Sequence, residues 1–281
     1  QYSYSDGDQW FEWSPDSKWI LSEFIGIGGW NNKDIVLLNA DGKGEMHNLT
    51  ESGYSDGNAK WVLGGKAMVW FSDRAGYRSH GSWGAQYDAY IMFFDVDAYD
   101  RFRMNKEDLA LLEEAEKAEK AEKEKAEKKK KEDKKGDKKK DAKDKKDGEA
   151  EKKEEVKPLK FDLDNRFDRI VRLTVNSSFT GDAVLTPKGD KLYYLAAFES
   201  GYDLWEHDLK ENSTKILLKG VGGGSLLPDK KGENIFMCTG GGMKKIEIAG
   251  SKTTPIAFES FFDYQPGGER AYIFDHVWQQ V

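Results

Sequence analysis

Few side chains in this sequence have the type and spacing that chemistry requires. The single cysteine, Cys238, excludes an intrachain disulfide and any multi-cysteine metal site. It ends the run Asn234-Ile235-Phe236-Met237-Cys238, where it reads as a small buried hydrophobe in a strand. Nothing beside it supplies the base that a nucleophilic thiol needs. The histidines His47, His80, His207 and His276 show no HxH or HxxxH pairing, whereas zinc needs three or four converging ligands. Asp95-Val96-Asp97 could in principle ligate a cation, but the stretch lacks the glycine and distal glutamate of an EF-hand loop. The glycine runs Gly26-Ile27-Gly28-Gly29, Gly222-Gly223-Gly224 and Gly240-Gly241-Gly242 have neither P-loop nor dinucleotide spacing and open no helix. No Gly-x-Ser-x-Gly elbow is present. The polar run Arg74-Ala75-Gly76-Tyr77-Arg78-Ser79-His80-Gly81-Ser82-Trp83 is loop-like, with two readings: ordinary loop packing, or a loop facing a pore or ligand. The sequence therefore assigns no catalytic, cofactor-binding or metal-binding residue and does not identify the substrate-binding ones.

The elements that would position such side chains repeat along the chain. Trp13-Ser14-Pro15-Asp16-Ser17-Lys18-Trp19-Ile20-Leu21 aligns without gaps on Trp61-Val62-Leu63-Gly64-Gly65-Lys66-Ala67-Met68-Val69. The pattern returns at Leu185-Thr186-Pro187-Lys188-Gly189-Asp190-Lys191-Leu192 and at Leu226-Leu227-Pro228-Asp229-Lys230-Lys231-Gly232-Glu233-Asn234. Each copy is an apolar run, a turn and a second strand; Pro presets the first corner of the turn, and Gly or Asp tolerates the second. Matched second halves follow, such as Asp34-Ile35-Val36-Leu37-Leu38, Asp203-Leu204-Trp205-Glu206-His207 and Lys244-Lys245-Ile246-Glu247-Ile248. The last two alternate apolar and polar residues, as a strand with one buried face does. Four short strands in about 40–45 residues is the repeat length of WD40-like and related propeller blades. The predicted fold is all-β: a partial β-propeller of about four four-stranded antiparallel blades, with aromatics packed between neighbouring sheets.

The charge is unevenly placed. Residues 105–157 hold 20 Lys against 19 Asp plus Glu, so this insertion is nearly neutral. The remaining 24 basic and 32 acidic residues leave the foldable part at about −8, which disfavours nucleic acid phosphates and anionic lipid. Glu and Lys at helical spacing from Glu113 to Lys131 predict a solvated helix, and the Gly and Asp content past Lys134 predicts disorder. No apolar run approaches the ~20 residues of a membrane-crossing helix. The chain begins without Met inside a strand pattern and stops within a helical one at Trp278-Gln279-Gln280-Val281, so it is expected to be a piece of a longer protein.

The turn copies at Trp13–Trp19 and Leu185–Lys191 are similar to the propeller repeats shared by TolB and the tricorn proteases. Phe71-Ser72-Asp73-Arg74-Ala75-Gly76-Tyr77-Arg78, the insertion after Tyr99-Asp100-Arg101-Phe102, and Phe161-Asp162-Leu163-Asp164-Asn165-Arg166 with Arg169-Ile170-Val171-Arg172-Leu173-Thr174 resemble bacterial tricorn-like serine peptidases of the S41 type. Ala271-Tyr272-Ile273-Phe274-Asp275-His276-Val277-Trp278 looks like the start of the helical segment that follows the propeller there. The resemblance implies blades at 1–104 and 158–260, an insertion at 105–157 within a blade, and the start of a helical core segment at 261–281. It implies a non-catalytic propeller that gates and docks unfolded peptides for PDZ and peptidase domains further along the same parent chain. Hydrolysis would belong to the parent, with no cofactor. A homo-oligomer is compatible with it, and the periplasm is the implied compartment, the cytoplasm the alternative. Two rival readings are a TolB-like protein-binding propeller without peptidase activity and the propeller of a prolyl-oligopeptidase-type enzyme.

Overall fold

The computed structural model describes residues 10–26, 32–78, 84–135, 158–229 and 231–280. Their strands form four four-stranded antiparallel sheets, each a meander in chain order. The first blade holds β1 (Phe11–Trp13), β2 (Trp19–Ile25), β3 (Lys33–Asn39) and β4 (His47–Asn48). The second holds β5 (Asp56–Val62), β6 (Ala67–Ser72), β7 (Asp88–Phe93) and β8 (Ile170–Arg172). The third holds β9 (Phe179–Leu185), β10 (Lys191–Ala197), β11 (Asp203–Asp208) and β12 (Ser213–Leu218). The fourth holds β13 (Gly224–Pro228), β14 (Asn234–Thr239), β15 (Gly242–Glu247) and β16 (Lys252–Ile256). Three α-helices accompany them among the described residues: α1 (Val96–Arg103), α2 (Lys106–Lys135) and α3 (Pro266–Gln280).

The core is three seams between successive sheets, and strand alternation decides which side chain enters which seam. From β6, Met68 and Trp70 join Leu21, Ile35 and Leu37 of the first blade, while Ala67, Val69 and Phe71 face the third. From β10, Leu192, Tyr194 and Ala196 turn back toward the second blade, while Tyr193 and Leu195 meet Leu226, Ile235 and Met237 of the fourth. Burial on both faces is why β6, β7 and β10 read as near-continuous apolar runs. The radial stacking of meander sheets is that of propeller blades.

The repeated turn joins the first two strands of a blade. Ser14 Oγ accepts the amides of Lys18 and Trp19 at 3.2 and 2.9 Å. Thr186 Oγ1 accepts those of Asp190 and Lys191 at 3.2 and 3.1 Å, and Asp229 Oδ1 that of Glu233 at 2.8 Å. Ser17, Gly189 and Gly232 take up φ values of 56, 71 and 68° at the matching corner.

The insertion leaves the second blade after β7. Asp95 caps α1, its Oδ1 accepting the Ala98 amide at 2.7 Å. Lys210 Nζ donates to the Phe102 and Met104 carbonyls at the other end of α1, 2.6 and 2.9 Å away. The expected helix is present as α2, which runs to Lys135 and is exposed over Glu114–Glu122; the disorder expected past Lys134 falls almost wholly outside the described residues. The chain returns as an irregular segment, not a strand, over Leu159–Leu163. Phe161 lies 5.1 Å from Trp19 and 5.3 Å from Phe94, ring centre to ring centre. Arg169 Nε then donates to the Phe93 carbonyl at 3.1 Å, and Arg166 donates to the Asn48 and Leu49 carbonyls at 2.9 and 3.0 Å. The Arg169 bond helps close β8 onto β7 across the long excursion, and the Arg166 bonds tie the returning chain to the first blade. The helix expected at Ala271–Trp278 is present as part of α3, which buries none of its residues.

Candidate ligand site on the propeller axis

The first strand of each blade lies innermost, and β1, β5, β9 and β13 together line a cavity of about 430 Å³. Trp10, Trp61, Leu227, Pro187 and Pro228 give it apolar walls, and Glu12, Lys60 and Asp229 bring charge. A larger cleft of about 690 Å³ runs between α1, the start of α2 and the turns at Leu63 and Pro187. Arg101 there pairs with Glu113 and Glu116 at 3.6 and 2.6 Å, and no lining residue has a buried side-chain polar atom without a partner.

The axial cavity differs in this respect. Lys60 Nζ bonds Asp182 Oδ1 across the seam between the second and third blades at 2.5 Å. Asp182 Oδ1 also accepts the Ala183 amide, and Oδ2 the Leu226 amide of the fourth blade, both at 2.8 Å. Asp182 is thereby fully engaged and ties three blades together. A similar tie links the first two blades, where Glu23 Oε1 accepts the Asn58 amide at 2.8 Å, at the bulge where β5 slips register against β6.

Glu12 completes the group from β1, and its Oε2 is buried with no hydrogen-bond partner. Trp61 Nε1 is 3.3 Å from the Glu12 carbonyl and fixes the backbone there. Burial pushes the Glu12 carboxyl up to about 7; Lys60 and the Trp61 amide pull it down, and Asp182 adds to the rise. The cluster holds two carboxylates against one ammonium. It can hold a proton near neutral pH, or accept a donor that enters the cavity.

The residues singled out by sequence lie elsewhere and are not brought together. Cys238 is half-buried in β14. His47 sits in β4, and His207 is buried in β11 with Nδ1 2.7 Å from Thr214 Oγ1, burial lowering its pKa. His276 stacks on Tyr272 in exposed α3 at 5.8 Å. Asp95 is the α1 cap. His80 and Trp83 lie outside the described residues, as do Ile27, Gly28 and Gly29. The described part of their loop packs inward at Arg74: its guanidinium lies 5.0 Å from the Tyr90 ring and 5.5 Å from Trp70, and bonds Asp56 Oδ1 at 3.3 Å. Among the described residues no three His, Cys, Asp or Glu side chains converge to hold a metal. Sequence reasoning missed Glu12, Lys60 and Asp182. The one available signal was a carboxylate set among the rings of Trp10-Phe11-Glu12-Trp13.

The blades and their axial cavity define a β-propeller. No protein-family model matches the chain, and neither does any curated protein. Among solved structures, the tricorn protease superposes with a TM-score of 0.59 at 9% identity, over 95% of this chain and 24% of that one. TolB from Acinetobacter baumannii gives 0.44 at 8% identity, over 90% of this chain and 42% of that one. An auxiliary nutrient binding protein from Bacteroides thetaiotaomicron gives 0.44 at 10%, over 91% and 43%. The chain thus spans about a quarter of the tricorn protease. At these identities the likeness is one of fold: four consecutive blades of a propeller.

Proposed function

We propose that this chain is a non-catalytic propeller section of a tricorn-like serine endopeptidase, docking unfolded peptides for a peptidase domain elsewhere in the parent protein. The observation that carries this reading is the axial cavity, about 430 Å³, walled by the innermost strands of all four blades. A site of that size suits a few side chains of an extended chain and excludes a folded domain. The inner strands also offer backbone groups along the axis with which an extended peptide can pair. The tricorn-like motif order, with the insertion set inside one blade, supports the same reading. A periplasmic location goes with it, the cytoplasm remaining the alternative. No helix among the described residues is long and apolar enough to cross a membrane.

The test is binding of a reduced, carboxymethylated protein and of its native folded form, followed by the fluorescence of Trp10 and Trp61 at the cavity. Selective binding of the unfolded form, without cleavage of it, is expected. Equal binding of the folded form would remove the sieving role. Hydrolysis abolished by replacing one serine of this chain would overturn the non-catalytic assignment.

A further inference from the structure

Glu12 is the group that docking of an extended chain does not by itself explain. A carboxylate whose Oε2 is buried without a partner is unfavourable, since that oxygen has given up water and gained no donor. Lys60 and the Trp61 amide offset its burial only in part. Lys60 is already bonded to Asp182, and Asp182 has spent its oxygens on Lys60 and on the Ala183 and Leu226 amides. With Glu12 ionised, the three side chains sum to one uncompensated negative charge inside apolar walls.

We propose that the axial cavity takes a positively charged side chain of an extended peptide, the ammonium of Lys or the guanidinium of Arg, with Glu12 as its counter-ion. The entering cation cancels the excess charge and donates to the orphan oxygen, so the penalty that Glu12 carries in the empty cavity is relieved on binding. The rings of Trp10 and Trp61, with Leu227 and Pro228, suit the aliphatic stem of such a side chain. An acidic side chain would meet two carboxylates and a lysine already in use, so the same site rejects it. The inference rests on the reading that an extended peptide occupies the cavity and adds the chemistry it selects.

The charged groups facing Glu12 are Lys60 from β5 and Asp182 from β9, with Asp229 on the β13 side of the cavity. Hydrogen bonds from the Asn234 side chain and neighbouring amides lower the Asp229 pKa, so Asp229 stays ionised throughout the neutral range and adds no slope there. Glu12, raised to about 7, does change charge in that range. A cation must displace its proton at lower pH, so affinity for a basic peptide rises with pH between 6 and 8.

The experiment is calorimetric titration of the full chain with two unstructured peptides that differ at one residue, lysine against norleucine, at pH 6 and 8. The lysine peptide is expected to bind about tenfold tighter at pH 8, with the advantage shrinking at pH 6. Glu12→Gln should bring the lysine peptide down to the level of its partner at both pH values. The pH comparison on the unaltered chain decides the matter even if that variant does not fold. Equal affinity of the two peptides would overturn the cation site while leaving peptide docking in place. Failure of both to bind would end the docking reading and this inference with it. A lysine preference that survives Glu12→Gln would put the site elsewhere and overturn the assignment.

Discussion

Two glutamates respond to pH in opposite directions, because the donors around buried Glu206 outweigh its burial, while Glu12, partly buried, keeps one oxygen without a partner and its neighbours do not offset burial. Burial would raise the pKa of Glu206, but Ser251, Lys191, Lys215 and Tyr193 outweigh it and hold the group at about 2. Ser251 Oγ lies 2.6 Å away in the fourth blade, and both lysine Nζ atoms 3.1 Å away in the third. A depressed carboxylate stabilises the fold above its unfolded value of 4.5, and that contribution is lost as pH falls through 4.5 toward 2. Glu206→Gln should lower stability by about 2–3 kcal/mol at pH 7, with the gap to the parent narrowing below pH 4.5, as read from urea midpoints. Glu12 has the reverse sign: its folded value of about 7 exceeds 4.5, so stability is fully present below pH 4.5 and declines as pH rises through 7. Glu12→Gln should therefore raise the urea midpoint at pH 8, by on the order of 1 kcal/mol after solvent screening, and leave it unchanged near pH 4. A drop in stability at pH 8 would mean that Glu12 has an unrecognised donor in the free protein.

At the scale of the element, the turn between the first and second strands is what the sequence displays most openly. Each of Trp13–Trp19, Leu185–Lys191 and Leu226–Asn234 carries a Pro, a capping oxygen (Ser14, Thr186 or Asp229) and a left-handed corner (Ser17, Gly189 or Gly232), because the turn needs each for a particular backbone angle or cap. Gly232 meets two demands at once: φ is +68°, and an added Cβ would lie 2.1 Å from Cγ of Pro187 in the third blade's own turn. Gly232→Ala should cost about 1–3 kcal/mol, whereas Gly240→Ala, which meets open space, should cost little. Thermal melts of the two variants make the comparison, and equal losses would show that the turns do not press together. The strands were legible for the same reason as the turns, since their patterns are local. The axial cluster was not. Lys60 and Asp182 are 122 residues apart, and only the stacking of blades brings them to one cavity. Glu12 reads as an ordinary outward residue of a short strand until its seam is known. α1 was missed because its helical stretch is only eight residues long and follows directly on a buried strand.

Across the whole molecule, the four blades are unequally protected, and this fixes the order in which they open. β6 and β7 bury every residue, because the second blade is packed between the first and the third. β10 buries its five central residues in the same way. Among the described residues the fourth blade has one seam, toward the third. On its other face Leu227 is 54% exposed, Phe236 is half-buried, and β16 has no buried residue. In a stack whose units contact only their neighbours, local stability follows the number of seams a unit shares. Native-state hydrogen exchange should therefore show the slowest amides in β6, β7 and β10, and exchange faster by about tenfold or more in β14 and β15, although both strands are fully hydrogen-bonded within their sheet. Uniform protection across all four sheets would mean that the chain opens as one unit, its end blades as well supported as its middle ones. A basic peptide seated in the axial cavity touches all four inner strands, so saturating it should slow the fourth blade most, where the free protein has least to hold it.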